Sequence, residues 1–516
     1  VLGRATIDRE LAGQVAGLQV KRGSGTPGEG SYYNLRGIRS LTGDNAPLIV
    51  INGVPHMPDK NESGIVNGYN RNIFQAYNLQ DIQNITVLKG AEAALYGSLG
   101  SNGVIMIETD GTAANDLETK VSYYGQFGIN WNDKRFPLLA GDNYKSYLMD
   151  VGLTSFDMNR FYTNFPFLQN PNDPKYMHTY NNNTDWQAEI YRNAFVTDHI
   201  FRVEGGDAIA KYDLSLGYVS DEGHLKSTKS ERDHTQLNAN VLVSKQVSIS
   251  AIVGFASSSG AHQPQGMLSN LNPMLAAYAQ SPLLNPYEKD NTGHQLTTYT
   301  PYYFGESEGD AGDKKTFGVS NPVALVNTLD ARSRQYDLNM QASVSYNPIR
   351  DLTFTGTFGM YYNYGNERLF IPGVNSKAIM PTKDIYGEAD NLIRNGVAET
   401  VNTFFNFNGR YNKVIDHVHK LNAIAGAQVY MTKNEYDVGE GRNTANDFYQ
   451  TLESVDVLGR NFSGYLNKWN WMNMYAHADY TYNDMVQAGI NLSADGTSST
   501  GTDANRLYLY PSVSLA

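Results

Sequence analysis

The sequence predicts a mainly β protein: a small N-terminal α/β domain followed by a large antiparallel β-barrel of the membrane type. Three observations predict it. From Val121 onward, apolar and polar side chains alternate with period two in about a dozen stretches, as strands with two unlike faces do. The connections between these stretches alternate between short and long, matching the periplasmic turns and external loops of outer-membrane barrels. Tyr and Phe gather near the stretch ends, where aromatic girdles lie. A soluble sandwich, the alternative, would space its strands evenly with shorter turns.

The α/β domain begins with a short amphipathic helix over Arg9–Leu18 and a strand over Leu18–Lys21. Gly23, Gly25 and Gly28 then match the spacing of a dinucleotide fingerprint. Pro27 and the absence of a long following helix make this a plain turn, because phosphate binding needs a helix N-terminus there. Pro47–Ile51 is an apolar strand that runs into Asn52-Gly53, a pair that tolerates positive φ and marks a tight turn. A strand over Ile85–Leu88, a helix over Ala91–Leu95, a Gly-marked turn over Gly97–Gly103 and a strand over Val104–Ile107 complete the unit. Its expected extent is 1–118, with the barrel over 119–516.

The barrel stretches follow in order. Val121, Tyr123, Phe127 and Ile129 share one face; Tyr212–Tyr218, Leu237–Val243 and Val247–Phe255 alternate in the same way. Tyr336–Tyr346 and Leu352–Tyr362 flank a short Asn347–Asp351 turn. Val401–Tyr411, Leu421–Met431, Met472–Tyr482 and Val486–Leu492 continue, and a last strand starts at Leu507. Asn132–Thr197, Ser258–Ser333, Asn363–Gly396 and Thr432–Leu466 are long connections, which a compact soluble domain would rarely carry.

Composition agrees. Of 516 residues only 18% are charged, while 12% are aromatic, with 36 Tyr and 48 Gly; low charge with many aromatics and turn formers suits a girdled barrel. The mean hydropathy of -0.44 does not oppose a membrane location, because polar lumen residues average out the lipid-facing ones. The net charge of -12 argues against a nucleic-acid partner, which needs a basic patch. The absence of Cys excludes disulfides and Cys-based metal sites. No signal peptide opens the sequence, so an exported protein would be represented by its mature or trimmed form.

The order LRGIRS, PLIVINGVP, DIQNITVLKGAEAALYGSLGSNGVI closely resembles the plug of SusC/RagA-type TonB-dependent outer-membrane transporters. NNNTDWQAEIYRNA at Asn181–Ala194 resembles that family's first long loop entering strand two, and LYPSVSLA a mid-barrel strand. The resemblance implies a plug seated inside a 22-stranded barrel, in the plugged-lumen class, with roughly the first half of the barrel present. Val513 and Leu515 would then lie on an open edge, which lipid does not tolerate, so a missing remainder or a second chain is expected to complete the ring. It also implies plug-motif roles for Arg36, Gly37, Asn52, Gly53, Lys89, Gly90, Tyr96, Gly97 and Gly103. Arg36, Arg39, Lys89 and Glu92 would pair with luminal charges, or stand as exposed ions in a wet interface.

No catalytic set emerges, and neither an enzyme nor a cofactor is expected. No Gly-x-Ser-x-Gly elbow sits at a strand–helix turn. His417 and His419 form a metal pair or a solvated turn; Glu306, Glu308, Asp310 and Asp313 form an acidic loop or a Ca²⁺ site. Tyr162, Tyr176, Trp186, Tyr302 and Tyr303 crowd the long loops. Loop self-packing or partner docking ranks first for them and substrate contact second.

The resemblance implies import of an oligosaccharide- or peptide-class nutrient across the outer membrane of a Bacteroidota-like bacterium. Its partners would be a SusD-like lipoprotein, TonB through an N-terminal segment, and outer-membrane lipid. Many members carry Asp where Asn52 stands, Arg where Leu99 stands, and a Lys-rich segment after Ile107. These differences motivate an alternative, a structural subunit of a larger outer-membrane assembly with transport reduced or lost. A siderophore or cobalamin receptor is a third reading.

Overall fold

The structure, a computed structural model, describes residues 6–57, 64–109, 118–131, 135–155, 158–174, 176–266, 270–302, 319–416, 418–483, 485–501 and 505–515. Helix α1 (Ile7–Leu11) is shorter than its apolar pattern predicts. Gly13 and Gly17 take φ of +76° and +80°, the left-handed conformation that stops a helix. β1 (Leu18–Arg22) and β2 (Ser31–Leu35) form an antiparallel hairpin. β3 (Leu48–Ile51), β4 (Val54–His56), β5 (Asn84–Leu88) and β6 (Val104–Glu108) form a four-stranded sheet in the order β4-β3-β6-β5.

β3 and β6 run parallel at the centre of this sheet, and every residue of β3 is buried. A strand covered on both faces reads as a continuous apolar run rather than an alternation, which is why Leu48-Ile49-Val50-Ile51 has no polar member. Ile49, Ile51, Ile105 and Ile107 pack with Ile7, Leu11, Leu35 and Phe74 on one face. Leu48, Val50 and Val104 pack with Ala93 on the other. Between β5 and β6 the expected helix is a run of 3-10 turns over Ala91–Gly100, broken where Gly97 turns to φ +53°.

The remainder is one antiparallel sheet with intervening loops. Its strands begin with β7 (Lys120–Asn130). Five loop helices follow: α2 (Gly141–Ser155), α3 (Met158–Asn164), α4 (Pro166–Gln169), α5 (Met177–Tyr180) and α6 (Trp186–Ile190). Next come β8 (Ala194–Gly206), β9 (Ala210–Glu222), β10 (Lys229–Leu242) and β11 (Val247–His262). A second loop holds α7 (Pro273–Ala279), the hairpin β12 (Tyr287–Lys289) and β13 (Gln295–Tyr299), and α8 (Pro322–Thr328). β14 (Asp330–Ile349), β15 (Leu352–Ile371), a hairpin of β16 (Thr382–Asp384) and β17 (Gly387–Ala389), β18 (Leu392–Ile415) and β19 (His419–Arg442) come next. β20 (Arg460–Tyr482), β21 (Val486–Thr497) and β22 (Leu507–Leu515) complete it. The sheet has twelve strands paired in chain order, with β7 and β22 at its edges.

Its two faces are inverted relative to a soluble protein. In β10, Leu237 is 42% exposed and its neighbours Gln236 and Asn238 are 3% and 2% exposed. In β21, Ile490 and Leu492 point outward while Asn491 and Ser493 are buried. Polar side chains face inward, over the plug, and greasy ones face out, as a lipid-embedded wall requires. On β14 the outward Leu338, Met340, Ala342 and Val344 lie between Tyr336 and Tyr346. That spacing is the roughly 9–11 residues a tilted strand needs to cross the hydrocarbon. No helix of the described residues is long and apolar enough to cross a membrane.

The outer ends of the strands run further than the alternation predicts. β15 continues to Ile371 and β18 starts at Leu392, inside the stretch read as a loop. The 24 residues of β18 extend about 80 Å at roughly 3.3 Å per residue, far more than a bilayer crossing. There the two faces no longer meet lipid and lumen: Leu369 and Phe370, like Leu392 and Ile393, are neighbours on opposite faces and all are buried, so the period-two signal fades while the ladder continues.

Candidate functional site

The plug-motif residues fall in three places. Arg36 and Gly37 both have positive φ, +59° and +85°. The Arg36 guanidinium donates to the Lys89 carbonyl at 2.8 Å, and the Lys89 ammonium donates to the Ala16 carbonyl at 2.6 Å. Arg39 donates to the Ser101 carbonyl at 2.6 Å. Of the two readings for these cations and Glu92, pairing with luminal charges is not met: none of the four forms an ion pair among the described residues. The cations instead tie plug loops to plug backbone, next to Gly90. Asn52 and Gly53 turn β3 into β4 with φ of +51° and +84°, the double positive φ of a type I′ hairpin. The Asn52 side chain donates to Thr109 Oγ1 and accepts from the Thr109 amide, both at 2.8 Å. That cross-tie holds the turn to the end of β6.

The third place is the Tyr96–Gly97 corner, which touches the wall. The Ser98 amide donates to Asp495 Oδ2 at 2.6 Å, Ser98 Oγ donates to the same oxygen, and Trp471 Nε1 reaches it at 2.8 Å. Burial pushes the Tyr96 hydroxyl up to about 12. At Gly103 φ is +89° and a Cβ would lie 2.9 Å from the Leu88 carbonyl oxygen, so a side chain there would be strained at the start of β6.

The candidate functional surface is the seam between plug and wall, and its chemistry is polar. Thr109 accepts from Gln236 and Asn238 of β10. Tyr77 donates to Asn339 Oδ1 of β14 at 2.8 Å, and the Leu95 carbonyl accepts from Asn473 of β20 at 2.8 Å. Ser215 of β9 donates to Asp81 at 2.9 Å, with His234 of β10 at 3.6 Å from the same carboxylate. Arg9 meets Asp221 at 3.4 Å and Arg71 meets Glu367 at 3.1 Å. Glu367 also accepts from the Ile65 amide at 2.8 Å.

Burial also shifts an acid and a base of the plug. Burial raises the Asp81 carboxyl to about 6, partly offset by the Ser215 hydrogen bond. Burial alone lowers His56 to about 4, so it stays neutral. Apolar contact crosses the seam mainly where Val54 and Leu99 pack on Phe404, Tyr430 and Trp471, and where Ile65 and Val66 meet Leu369 and Leu392. The wall makes room with glycines that sequence reading missed. A Cβ at Gly359 would sit 2.6 Å from Val54, and one at Gly217 would sit 2.6 Å from Asn78.

The loop aromatics mostly pack on one another. Trp186 is 3% exposed, donates to the Ser281 carbonyl at 2.8 Å and packs with Leu225, Leu284 and Val323. Tyr162 lies edge-on to Phe161, and Tyr176 leans on Tyr180 with centroids 6.2 Å apart; both are half-buried. The Tyr302 amide donates to the Lys377 carbonyl at 2.7 Å. Tyr303 and the Ca²⁺ candidates Glu306, Glu308, Asp310 and Asp313 lie outside the described residues, as does His417. His419 hydrogen-bonds Tyr480 at 2.6 Å. Among the described residues no three His, Asp or Glu side chains gather as a metal site.

Comparison with known proteins agrees with this architecture. Residues 3–104 match the TonB-dependent Receptor Plug Domain family model. The chain is 25% identical to the TonB-dependent receptor SusC of Bacteroides thetaiotaomicron, over 98% of this chain and 47% of that protein. It is 27% identical to the TonB-dependent receptor P26 of Formosa agariphila, over 99% of this chain and 46% of that protein. The chain thus spans about half the length of the curated relatives it matches. Among solved structures, the RagAB peptide importer in its open-open state superimposes with a TM-score of 0.76 at 18% identity. That match covers 99% of this chain and 55% of the other. The ferripyoverdine receptor of Pseudomonas aeruginosa superimposes with a TM-score of 0.52 at 9% identity.

Proposed function

From a chain that carries a TonB-dependent receptor plug domain and the outer-membrane barrel fold of SusC- and RagA-type transporters, we propose TonB-dependent import of a nutrient across the outer membrane. The cargo is of the oligosaccharide or peptide class, and the barrel works beneath a SusD-like surface lipoprotein. Residues 1–118 serve as the plug and 119–516 as barrel wall. The plug motif Arg36, Gly37, Asn52, Gly53, Lys89, Gly90, Tyr96, Gly97 and Gly103 holds the plug's own turns.

The observation that carries this reading is the construction of the seam. The plug has an apolar core of its own, yet it meets the wall mainly through hydrogen bonds and a few ion pairs. A body with its own core can be pulled or rearranged without exposing a greasy wall, and water replaces the polar contacts at small cost. On the outer loops Phe136, Tyr147, Leu153, Tyr386, Phe448 and Leu458 are each more than half exposed. Exposed apolar sites at one end of the molecule suit the docking of a lid protein.

Uptake assays test the reading. Cells that carry the chain should take up one labelled class, oligosaccharides or peptides. Deleting the gene or collapsing the proton gradient should abolish that uptake. Equal uptake with and without the chain would overturn it. One observation favours a second reading, a structural subunit with reduced transport: Leu99 is packed between plug and wall apolar side chains, pinning the plug where many family members carry Arg.

A further inference from the structure

Outside the lumen, on the lipid side of the wall, one cleft of about 570 Å³ opens among the long-loop ends of β10, β11, β14 and β15. Its charged lining is Lys229, Glu231, Arg332, Arg334 and Arg368, four cations against one carboxylate in a chain whose net charge is -12. The strand register fixes which way they face. Arg334 pairs across with Ser259 and Asn366, and Tyr336 with Ser257 and Tyr364. Two residues further along the same face come Leu338 and then Met340, the start of the apolar band. The cations therefore stand on the outward, lipid-side face, just past the outer tyrosine girdle. Arg334 lies about 7 Å beyond Tyr336 at roughly 3.3 Å per residue.

That level is where an outer-leaflet headgroup sits. The cations are only partly committed. Arg332 pairs with Asp330 at 2.6 Å and Lys229 with Glu231 at 2.8 Å. Arg368 donates to Gln450 at 2.8 Å, while its Nε is buried without a hydrogen-bond partner. Arg334 makes no ion pair among the described residues and is exposed. Planar guanidinium groups bind phosphate oxygens bidentately. Two tyrosines below them, Tyr336 and Tyr364, offer a ring face and a hydroxyl at the boundary between sugar and acyl chain.

We propose that this cleft is a binding site for the phosphorylated headgroup of an outer-leaflet glycolipid, held by Arg332, Arg334, Arg368 and Lys229 above the Tyr336–Tyr364 step. Such a lipid would stay attached to the wall during extraction and would fix the height of the barrel in the membrane.

The test uses the whole protein extracted from outer membranes in mild detergent. Binding of diphosphorylated lipid A is titrated beside lipid A stripped of phosphate, for the parent and for the Arg332→Gln/Arg334→Gln double variant. An Arg334→Lys variant keeps the charge. The expected result is affinity weaker by about tenfold or more for the stripped lipid and for the double variant, with the Lys variant, which keeps the charge but loses the bidentate fork, between the parent and the double variant. The heat-dependent gel shift of the folded barrel should be the same in all three proteins. Inorganic phosphate in large excess should not displace the lipid. Equal affinity for stripped and phosphorylated lipid would overturn the proposal, and so would an unchanged double variant. Full displacement by inorganic phosphate would also overturn it, by making a free anion the ligand. A loss that appears only when the gel shift is lost would assign these arginines to folding instead.

Discussion

Replacing Glu367 by Ala should loosen one edge of the plug while leaving the barrel intact. Glu367 stands on the inward face of β15, with its side chain 2% exposed and that of its partner Arg71 7% exposed. One carboxylate oxygen accepts from Arg71 Nε at 3.1 Å and the other from the Ile65 amide at 2.8 Å. Removing one partner of a buried ion pair costs about 3–5 kcal/mol, because the remaining charge keeps its desolvation penalty. Solvent screening is slight at this burial. Since 1.4 kcal/mol is tenfold, local opening of the plug around Ile65–Arg71 should rise on the order of a hundred- to several-thousand-fold. Hydrogen exchange of the amides at residues 64–77 reads this directly, with the β18–β19 ladder as internal reference. Because the chain has no Cys, Val66→Cys labelled by a maleimide gives an independent rate. If protection at 64–77 is unchanged, or falls equally in β18 and β19, the plug is not seated by this pair.

Other outcomes follow from the same seam and wall. The Asp81 carboxyl is raised from 3.8 to about 6, so the neutral form is the one the folded plug prefers. Its stabilisation is full below the unfolded value and is lost as pH rises through about 6. Exchange protection of the turn at Leu79–Asp81 should therefore improve as pH falls from 7 to 5, and Asp81→Asn should remove that dependence and raise protection at pH 7. Gly359→Leu puts side-chain atoms where Val54 already lies 2.6 Å from a would-be Cβ. Overpacking of this kind costs about 1–3 kcal/mol, seen as faster labelling of β4 without loss of barrel gel shift. Met340→Arg places a charge on the lipid side midway between Tyr336 and Tyr346, and should destabilise the folded wall by about 2–4 kcal/mol in urea titrations in vesicles. A much smaller effect would mean that this face does not meet hydrocarbon. Trp186→Ala empties the centre of the loop cluster and should lower the thermal stability of the outer loops, costing about 3–5 kcal/mol, with the membrane strands unaffected.

The strands were legible where one face meets lipid and the other a wet lumen. Leu237–Val241 and Val486–Leu492 alternate in sequence and lie in β10 and β21. The parallel pair β3 and β6 was legible for the opposite reason: burial on both faces leaves an unbroken apolar run. What sequence did not carry falls into two kinds. Outside the membrane, Asn366, Glu367, Arg368, Lys433, Asn434 and Glu435 lie in β15 and β19, where both faces are polar and the period is erased. Partners across the seam are separated by hundreds of residues, as Ser98 is from Asp495 and Arg71 from Glu367. No local pattern announces such pairs. For the plug cations the sequence left luminal pairing and exposure to water both open; the structure shows a third arrangement, in which plug carbonyls within reach at 2.6–2.8 Å bind them without a desolvated partner.

That difference bears on how force would act on the plug. Arg36, Arg39 and Lys89 bind the plug to itself, while Arg9 in α1 is tied to Asp221 of the wall, so pulling on the N-terminal part loads both kinds of tie. The ties to the wall fall in separate groups, among them Asp81 with Ser215, Thr109 with Gln236, Ser98 with Asp495, and Arg71 with Glu367. Separate polar groups break one at a time, each at the modest net cost of an exchanged hydrogen bond. A continuous apolar interface would have to part as a whole. The two apolar contacts, at Val54–Trp471 and Ile65–Leu369, should therefore be the last to open. Cysteine pairs placed across each should then block transport more completely than pairs placed across Thr109–Gln236. If a crosslink at Val54–Trp471 left uptake intact, plug movement would not involve that side of the wall at all.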